Sequence, residues 1–244
     1  MPRFSLPDAL RAWIDPDILG LTELPLPRAL GAAMGRCAVC GAWTDGGGSD
    51  PVSRDGCERP DGVDAVISLG DYDGPAGHAA RLIKGTCWAD GAWWWGRALG
   101  ERLLAWSACE HNAGTGIGFG GVSTRTMVKD AVLVPVPGDP WRTLVRGIDH
   151  AGALARAASV ACGWPSRSLL VRHDRVRQAS RRAQQRRSLH GRFALRSKIM
   201  TVPEQVVLVD DVCTTGSTGA DCAHAIRRAG ASWVALGVLA RAHR

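Results

Sequence analysis

VVLVDDVCTTGST, residues 206–218, is the stretch that decides the fold. Four apolar residues in a row read as a strand buried on both faces, the kind found inside a parallel sheet. Asp210 and Asp211 stand at its carboxyl end, where open α/β sheets bind their ligands. Thr214, Thr215, Gly216, Ser217 and Thr218 then form a tight turn into a helix over 218–229, which Gly230 closes. Gly216 permits a backbone conformation that other residues avoid. Successive N–H groups, hydroxyl donors and the helix N-terminus can then converge on one anion. A carboxylate pair beside such a cradle suits a sugar phosphate: its hydroxyls donate to the acids while its phosphate sits in the turn. The stretch is not a Walker A loop, because it has no Gly-Lys-Ser/Thr. The plainer reading is a strand–turn–helix whose polar residues only cap the helix. Two adjacent acids followed by five hydroxyl or glycine residues weigh against that reading.

Outward from this stretch the chain alternates strand and helix. VDAVISL (63–69) reads as a strand with a turn over Tyr72–Pro75, and helical stretches follow at 79–84 and 91–106. In the second of these, Trp95, Leu99, Leu103 and Trp106 recur at helical spacing. AVLVPVP (131–137) is a strand ending in a proline-stiffened turn. Residues 149–161 form a helix that Asp149 could cap. SLLV (168–171) is a short strand, and 233–239 is the last one. Such alternation implies an α/β fold, a mostly parallel sheet flanked by helices.

The interruptions are informative too. HNAGTGIGFGG (111–121), within a Gly-rich linker at 110–122, carries the GxGxxG spacing of a dinucleotide site. Here a helix precedes it and a strand follows, the reverse of what that site requires, so it reads as a linker. Residues 1–62 form an N-terminal appendage broken by prolines and glycines, and 63–244 form the core domain. The appendage holds Cys37 and Cys40 in CxxC spacing, with Cys57 downstream. These three thiols fall one ligand short of a structural zinc site, and His78 or Cys87 would have to supply the fourth. The set reads either as a zinc site or as a degenerate knuckle without metal, and its incompleteness favours the second. The remaining cysteines are scattered and read as small buried apolar groups. Cys213 lies inside the motif with no activating base, so it is a bystander.

The chain of 244 residues is 45% hydrophobic and 22% charged, enough apolar surface to build a core. No apolar run reaches the roughly 20 residues of a membrane span. Acids and prolines interrupt the first residues where a signal peptide would be apolar, so a cytoplasmic location is expected. The net charge of +7 is concentrated in one place. Residues 167–198 carry ten Arg and Lys198 against one acid, Asp174, and come to +10; the rest of the chain is −3. This segment suits a phosphate-rich ligand, a nucleic acid or simple solvation. Single-stranded nucleic-acid binders interleave basic residues with aromatics, and 165–192 has no Phe, Trp or Tyr. The ten Trp lie mostly upstream, among them Trp88, Trp93, Trp94, Trp95 and Trp106, and read as core packing or as a partner or homodimer surface.

The motif at 206–218 resembles the phosphoribosyl-pyrophosphate (PRPP) motif of type I phosphoribosyltransferases: apolar strand, two acids, Thr/Gly/Ser loop. DYDGPAGHAARLIKG (71–85), LVPVPGDPWRTLVRGIDHAGALARAAS (133–159), the Arg-rich stretch with Gln178, RRSLHGRF (186–193) and LAR (239–241) are similar, in the same order, to segments of ComF-like proteins. These are phosphoribosyltransferase relatives associated with bacterial competence, and the resemblance covers about 63–244. It implies Mg²⁺-dependent transfer of ribose 5-phosphate from PRPP to an acceptor. It also implies that Asp210 and Asp211 bind the ribose hydroxyls and that Thr214–Thr218 hold the 5′-phosphate. Pro135, Val136 and Pro137 would face the pyrophosphate, with Arg142 or Arg146 nearby. A flexible hood carrying Arg172, Arg175, Arg177 and Gln178 would close over the site. The same resemblance leaves open a non-catalytic PRPP or nucleotide sensor, a scaffold in DNA uptake working with DNA-uptake proteins, or a binder of single-stranded DNA. The chain departs from the family in lacking a second CxxC pair and in having Ser188 where Asn is usual.

Overall fold

A computed structural model of the chain describes residues 59–85, 89–108, 131–173, 191–197 and 199–242. Its elements are β1 (Ala65–Asp71), α1 (Pro75–Gly85), α2 (Ala89–Ala108), β2 (Val132–Pro135), α3 (Pro140–Arg146), α4 (His150–Cys162), β3 (Leu170–Arg172), β4 (Phe193–Leu195), β5 (Gln205–Cys213), α5 (Ser217–Arg228) and β6 (Trp233–Arg241). Four strands form one sheet in the order β1-β6-β5-β2, and every pairing is parallel. This is the α/β architecture that the alternation predicts. Parallel strands need crossovers that lay helices on both faces. That requirement explains why β5 and β6 read as almost continuous apolar runs.

Side chains alternate across a strand and so feed two cores. Val207 and Val209 of β5 join Ile67, Leu133 and Ala235 under α1, α2 and α4. Val206 and Leu208 join Val66, Val134 and Leu236 under α5 and the β3–β4 hairpin. Ile83, Leu99, Leu154 and Ile226 are completely buried, each worth about 1.5–3 kcal/mol relative to exposure.

The two faces are held differently. On the first, α2 and α4 approach so closely that a Cβ on Gly96 would lie 2.6 Å from the Ala157 Cβ. One on Gly100 would lie 2.3 Å from the Ala158 carbonyl oxygen, so only glycine fits. On the second face, charged side chains supplement the apolar core. Arg192 donates from Nε to Asp221 of α5 at 2.7 Å. Arg227 of α5 donates to the Gly62 carbonyl at 2.7 Å and to the Asp64 carboxylate. His224 of α5 pairs with Asp61 at 3.0 Å. Thus Arg59–Asp64, most of it assigned by sequence to the appendage, packs against α5.

Several local expectations are met with sharper bounds. Asp149 does cap α4, its side chain accepting from the Gly152 N–H at 3.0 Å, and Gly163 closes the helix at φ 78°. The strand at 206–209 extends through Asp210 and Asp211 to Cys213. β4 and α3 were not expected. The described Trp residues divide between buried and exposed positions. Trp164 is buried, and Trp106 stacks on Trp233 with ring centroids 5.8 Å apart. Trp93, Trp94 and Trp141 are exposed. Within the described residues no helix is long and apolar enough to cross a membrane.

Candidate functional site

The four parallel strands end on one edge, and the chemistry-bearing residues collect there. β2 lies beside β5 with Pro135 opposite Val209, one residue before the acid pair. The Val136 N–H donates to the Val209 carbonyl at 2.9 Å, which carries the Pro135–Val136–Pro137 turn along the same edge. β6 flanks β5 on its other side and ends at Arg241, opposite Cys213.

β5 passes directly into the loop Thr214–Gly216 and then α5. Gly216 sits at the helix N-cap with φ 73° and ψ 0°, the left-handed region, and no side chain caps the helix. A Cβ there would also meet Pro60 Cγ at 2.5 Å. Glycine is therefore required at this position on two counts. The Ser217 N–H lies 3.4 Å from Thr215 Oγ1, and the Thr215 hydroxyl donates to Ser217 Oγ at 3.2 Å. Thr214 and Thr215 are exposed and Ser217 and Thr218 half-buried, so the loop offers hydroxyls and first-turn N–H groups to a small cleft. That cleft, about 260 Å³ including its open mouth, is lined by Asp210 and the loop residues through Gly219. A helix N-terminus with glycine in the left-handed region and hydroxyls on both sides presents donors of the kind from which anions accept.

The acids are adjacent in sequence, but their partners lie on opposite faces of the sheet, as strand geometry demands. Asp211 is buried on the α1 side, where Lys84 from the last turn of α1 places Nζ 2.9 Å from its Oδ1. Asp210 lies on the α5 side, close enough to raise the Cys222 thiol along with burial. Its Oδ1 accepts from the Asp211 N–H at 2.9 Å. Burial, reinforced by the neighbouring Asp211 carboxylate, pushes the Asp210 acid up to about 8. Burial likewise raises the Cys213 thiol, consistent with an inert residue under the loop.

The expected residues are thus partly assembled. Asp210, Asp211, Thr214–Thr218 and Pro135–Pro137 lie along one sheet edge. Arg172, at the end of β3, has Nη2 3.9 Å from Asp139 Oδ2, just past the Pro135–Pro137 turn. The α3 backbone carries Arg142 and Arg146, whose side chains lie outside what the structure describes. So do Arg175, Arg177 and Gln178, the linker at 111–121, and Cys37, Cys40 and Cys57. His78 is exposed on α1, and among the described residues no three His, Cys, Asp or Glu side chains gather as a metal cage. Residue-level reading missed Lys84 and Pro60. Lys84 had a signal, as the lysine that follows the Tyr-x-Gly segment in DYDGPAGHAARLIKG (71–85), whereas nothing in the sequence marks Pro60.

Fold and geometry together define an α/β protein with a strand–loop–helix turn at the carboxyl edge of a parallel sheet. No known protein-family pattern matches the chain, and no curated protein matches it. Among solved structures, that of the allosteric regulatory enzyme of purine biosynthesis is similar, with 22% sequence identity and a TM-score of 0.33. The match covers 48% of this chain and 23% of that one, so the chain spans about a quarter of the length of its structural neighbour.

Proposed function

We propose that the chain is a ComF-like phosphoribosyltransferase that binds PRPP with Mg²⁺ and transfers ribose 5-phosphate to an acceptor, releasing pyrophosphate. The observation that carries this reading is the juxtaposition of Gly216, left-handed at an uncapped α5 N-terminus, with the Asp210–Asp211 pair on the preceding strand. In this reading the loop N–H groups and the hydroxyls of Thr214, Thr215, Ser217 and Thr218 hold the 5′-phosphate. The carboxylates receive the ribose 2′- and 3′-hydroxyls. Lys84 holds the Asp211 carboxyl in place, so that it accepts without having to be reoriented. Asp210, whose carboxyl burial pushes up to about 8, holds its proton at neutral pH and would give it up as a cation arrives.

The residues fit a cation brought in by its ligand. Two carboxylates beside a phosphate cradle match the way Mg²⁺ is held, by one or two acids plus phosphate oxygens. When bound, Mg²⁺ would neutralise charge building up on the departing pyrophosphate. In the transfer the C1′–O bond to pyrophosphate breaks with its electron pair leaving on oxygen. A lone pair of the acceptor forms the new bond to C1′, and the acceptor's proton leaves to solvent. Pro135–Pro137, and Arg172 once released from Asp139, would line the pyrophosphate side, where fixed positive charge stabilises the leaving group. A role in DNA uptake rests on the resemblance alone.

The test is a titration of PRPP with Mg²⁺ followed by thermal unfolding, with the Asp210→Asn/Asp211→Asn double variant in parallel. At 100 times Kd the wild type gains about 2.7 kcal/mol of stability, and the variant gains little. No stabilisation of the wild type overturns the proposal. Pyrophosphate release with a panel of nucleobases then separates an enzyme from a PRPP sensor.

A further inference from the structure

The outer face of α2 carries a stripe of large apolar and charged side chains. The residues that α2 turns outward are Trp93, Trp94, Arg97, Glu101 and Leu104. Trp94 is 66% exposed, Leu104 45% and Trp93 41%. At 100° per residue these five positions occupy one stripe of the helix, opposite the side on which Leu99 and Leu103 are buried against the sheet. Large apolar groups held in water along one stripe mark an association surface.

The order of residues along the stripe identifies the occupant. Reading outward from a midpoint at residue 99, Arg97 on one side is matched by Glu101 on the other, and Trp94 by Leu104. A two-fold axis crossing the helix at that midpoint sets one α2 antiparallel on another. It places each Arg97 against the partner's Glu101 and each Trp94 against the partner's Leu104. Opposite charges at the centre and apolar groups at both ends, spaced over about 15 Å of helix, form a self-complementary surface of the kind an isologous dimer needs. We propose that α2 is the homodimer interface of this protein, with Trp94 as its anchor and the two Arg97–Glu101 contacts setting the register. A Trp at the edge of a charged pair is the composition from which interface hot spots are built. The proposal is independent of the assigned ligand, because the stripe uses none of the residues at the carboxyl edge of the sheet.

The test is sedimentation velocity of the full chain over a concentration series, with far-UV circular dichroism as the folding control. The wild type is expected to dimerise, and Arg97→Glu and Glu101→Arg are each expected to weaken the dimer at least about tenfold by placing like charges in contact twice. Mixing these two variants is the specific arm. One chain then carries two acids and its partner two bases, so the mixture is expected to form heterodimers although each variant alone stays monomeric. Trp94→Ala is expected to weaken association without changing the register. A wild type that remains monomeric throughout overturns the proposal. So does a dimer that both charge variants leave unaltered, since its interface would then lie elsewhere.

Discussion

The two faces of the sheet solve the same packing problem by different means. Under α1, α2 and α4 the contacts are apolar and close, down to helices that touch through Gly96 and Gly100. Over α5 and the β3–β4 pair, a second apolar core is supplemented by ion pairs and carbonyl contacts: Arg192–Asp221, Arg227–Asp64 and His224–Asp61. The first face acts as a rigid backing. The second carries the Thr214–Gly216 loop, and its exposed ion pairs weaken with salt. The acid pair spans the difference, with Asp211 tied to the backing through Lys84 and Asp210 turned toward the charged face.

This contrast can be broken by substitution, and the apolar face should break hardest. Gly100→Val drives a side chain into the Ala158 carbonyl and is expected to cost about 3 kcal/mol, near the upper end for overpacking. In a domain of this size that lowers Tm by roughly 6–12 °C in calorimetry. On the charged face, Arg192→Met removes the cation from an almost wholly buried Asp221 carboxylate. Because Arg192 is 40% exposed, the expected loss is about 2 kcal/mol, below the usual cost of breaking a buried pair. Adding Asp221→Leu should recover most of it, and a double-mutant cycle in urea reads the coupling. If Arg192→Met costs as much as Gly100→Val, the two faces do not differ in the way described. Gly216→Ala forces a side chain into the left-handed region and against Pro60, and is expected to lose about 1–2 kcal/mol. Its ligand-induced stabilisation should fall by more than its stability does.

A separate effect, read in pH, follows from Asp210. Its acid is raised from the ordinary 3.8 to about 8 in the fold. Between those values the folded chain holds a proton that the unfolded chain has lost. This group's contribution to stability is therefore complete below about pH 4, shrinks as pH rises, and levels off above pH 8. Asp210→Asn should flatten that part of the Tm–pH curve, and an unchanged slope would place the acid in a wetter setting than the fold implies. The smallest effect belongs to the exposed pair: Asp61→Asn should shift stability by no more than about 0.5 kcal/mol, and less in high salt.

What could be read from the sequence follows the same division. β5, β6, the Asp149 cap and the Gly216 turn each depend on residues adjacent in the chain, so apolar runs and turn chemistry reveal them. β4 is three residues long and exists because Phe193–Leu195 pairs antiparallel with Leu170–Arg172. No local pattern marks a strand made by its partner. α3 begins Asp139-Pro140, a helix-start signal, but seven residues give too short a period to recognise. At the site, the loop and both acids were legible because one stretch carries them all. Lys84 and Pro60 come from distant stretches, and their place beside Asp211 and Gly216 is a product of the sheet order. The opposed settings of Asp210 and Asp211 follow from strand geometry, but only once the strand is seen to continue past them.

The most direct test of the central claim is backbone hydrogen exchange, measured with and without PRPP and Mg²⁺. If the loop between β5 and α5 is the phosphate cradle, the amides of Thr215–Gly219 become protected on binding, and the Asp210→Asn/Asp211→Asn variant shows little of that protection. Protection confined to other parts of the chain, with these five amides exchanging as before, would contradict it.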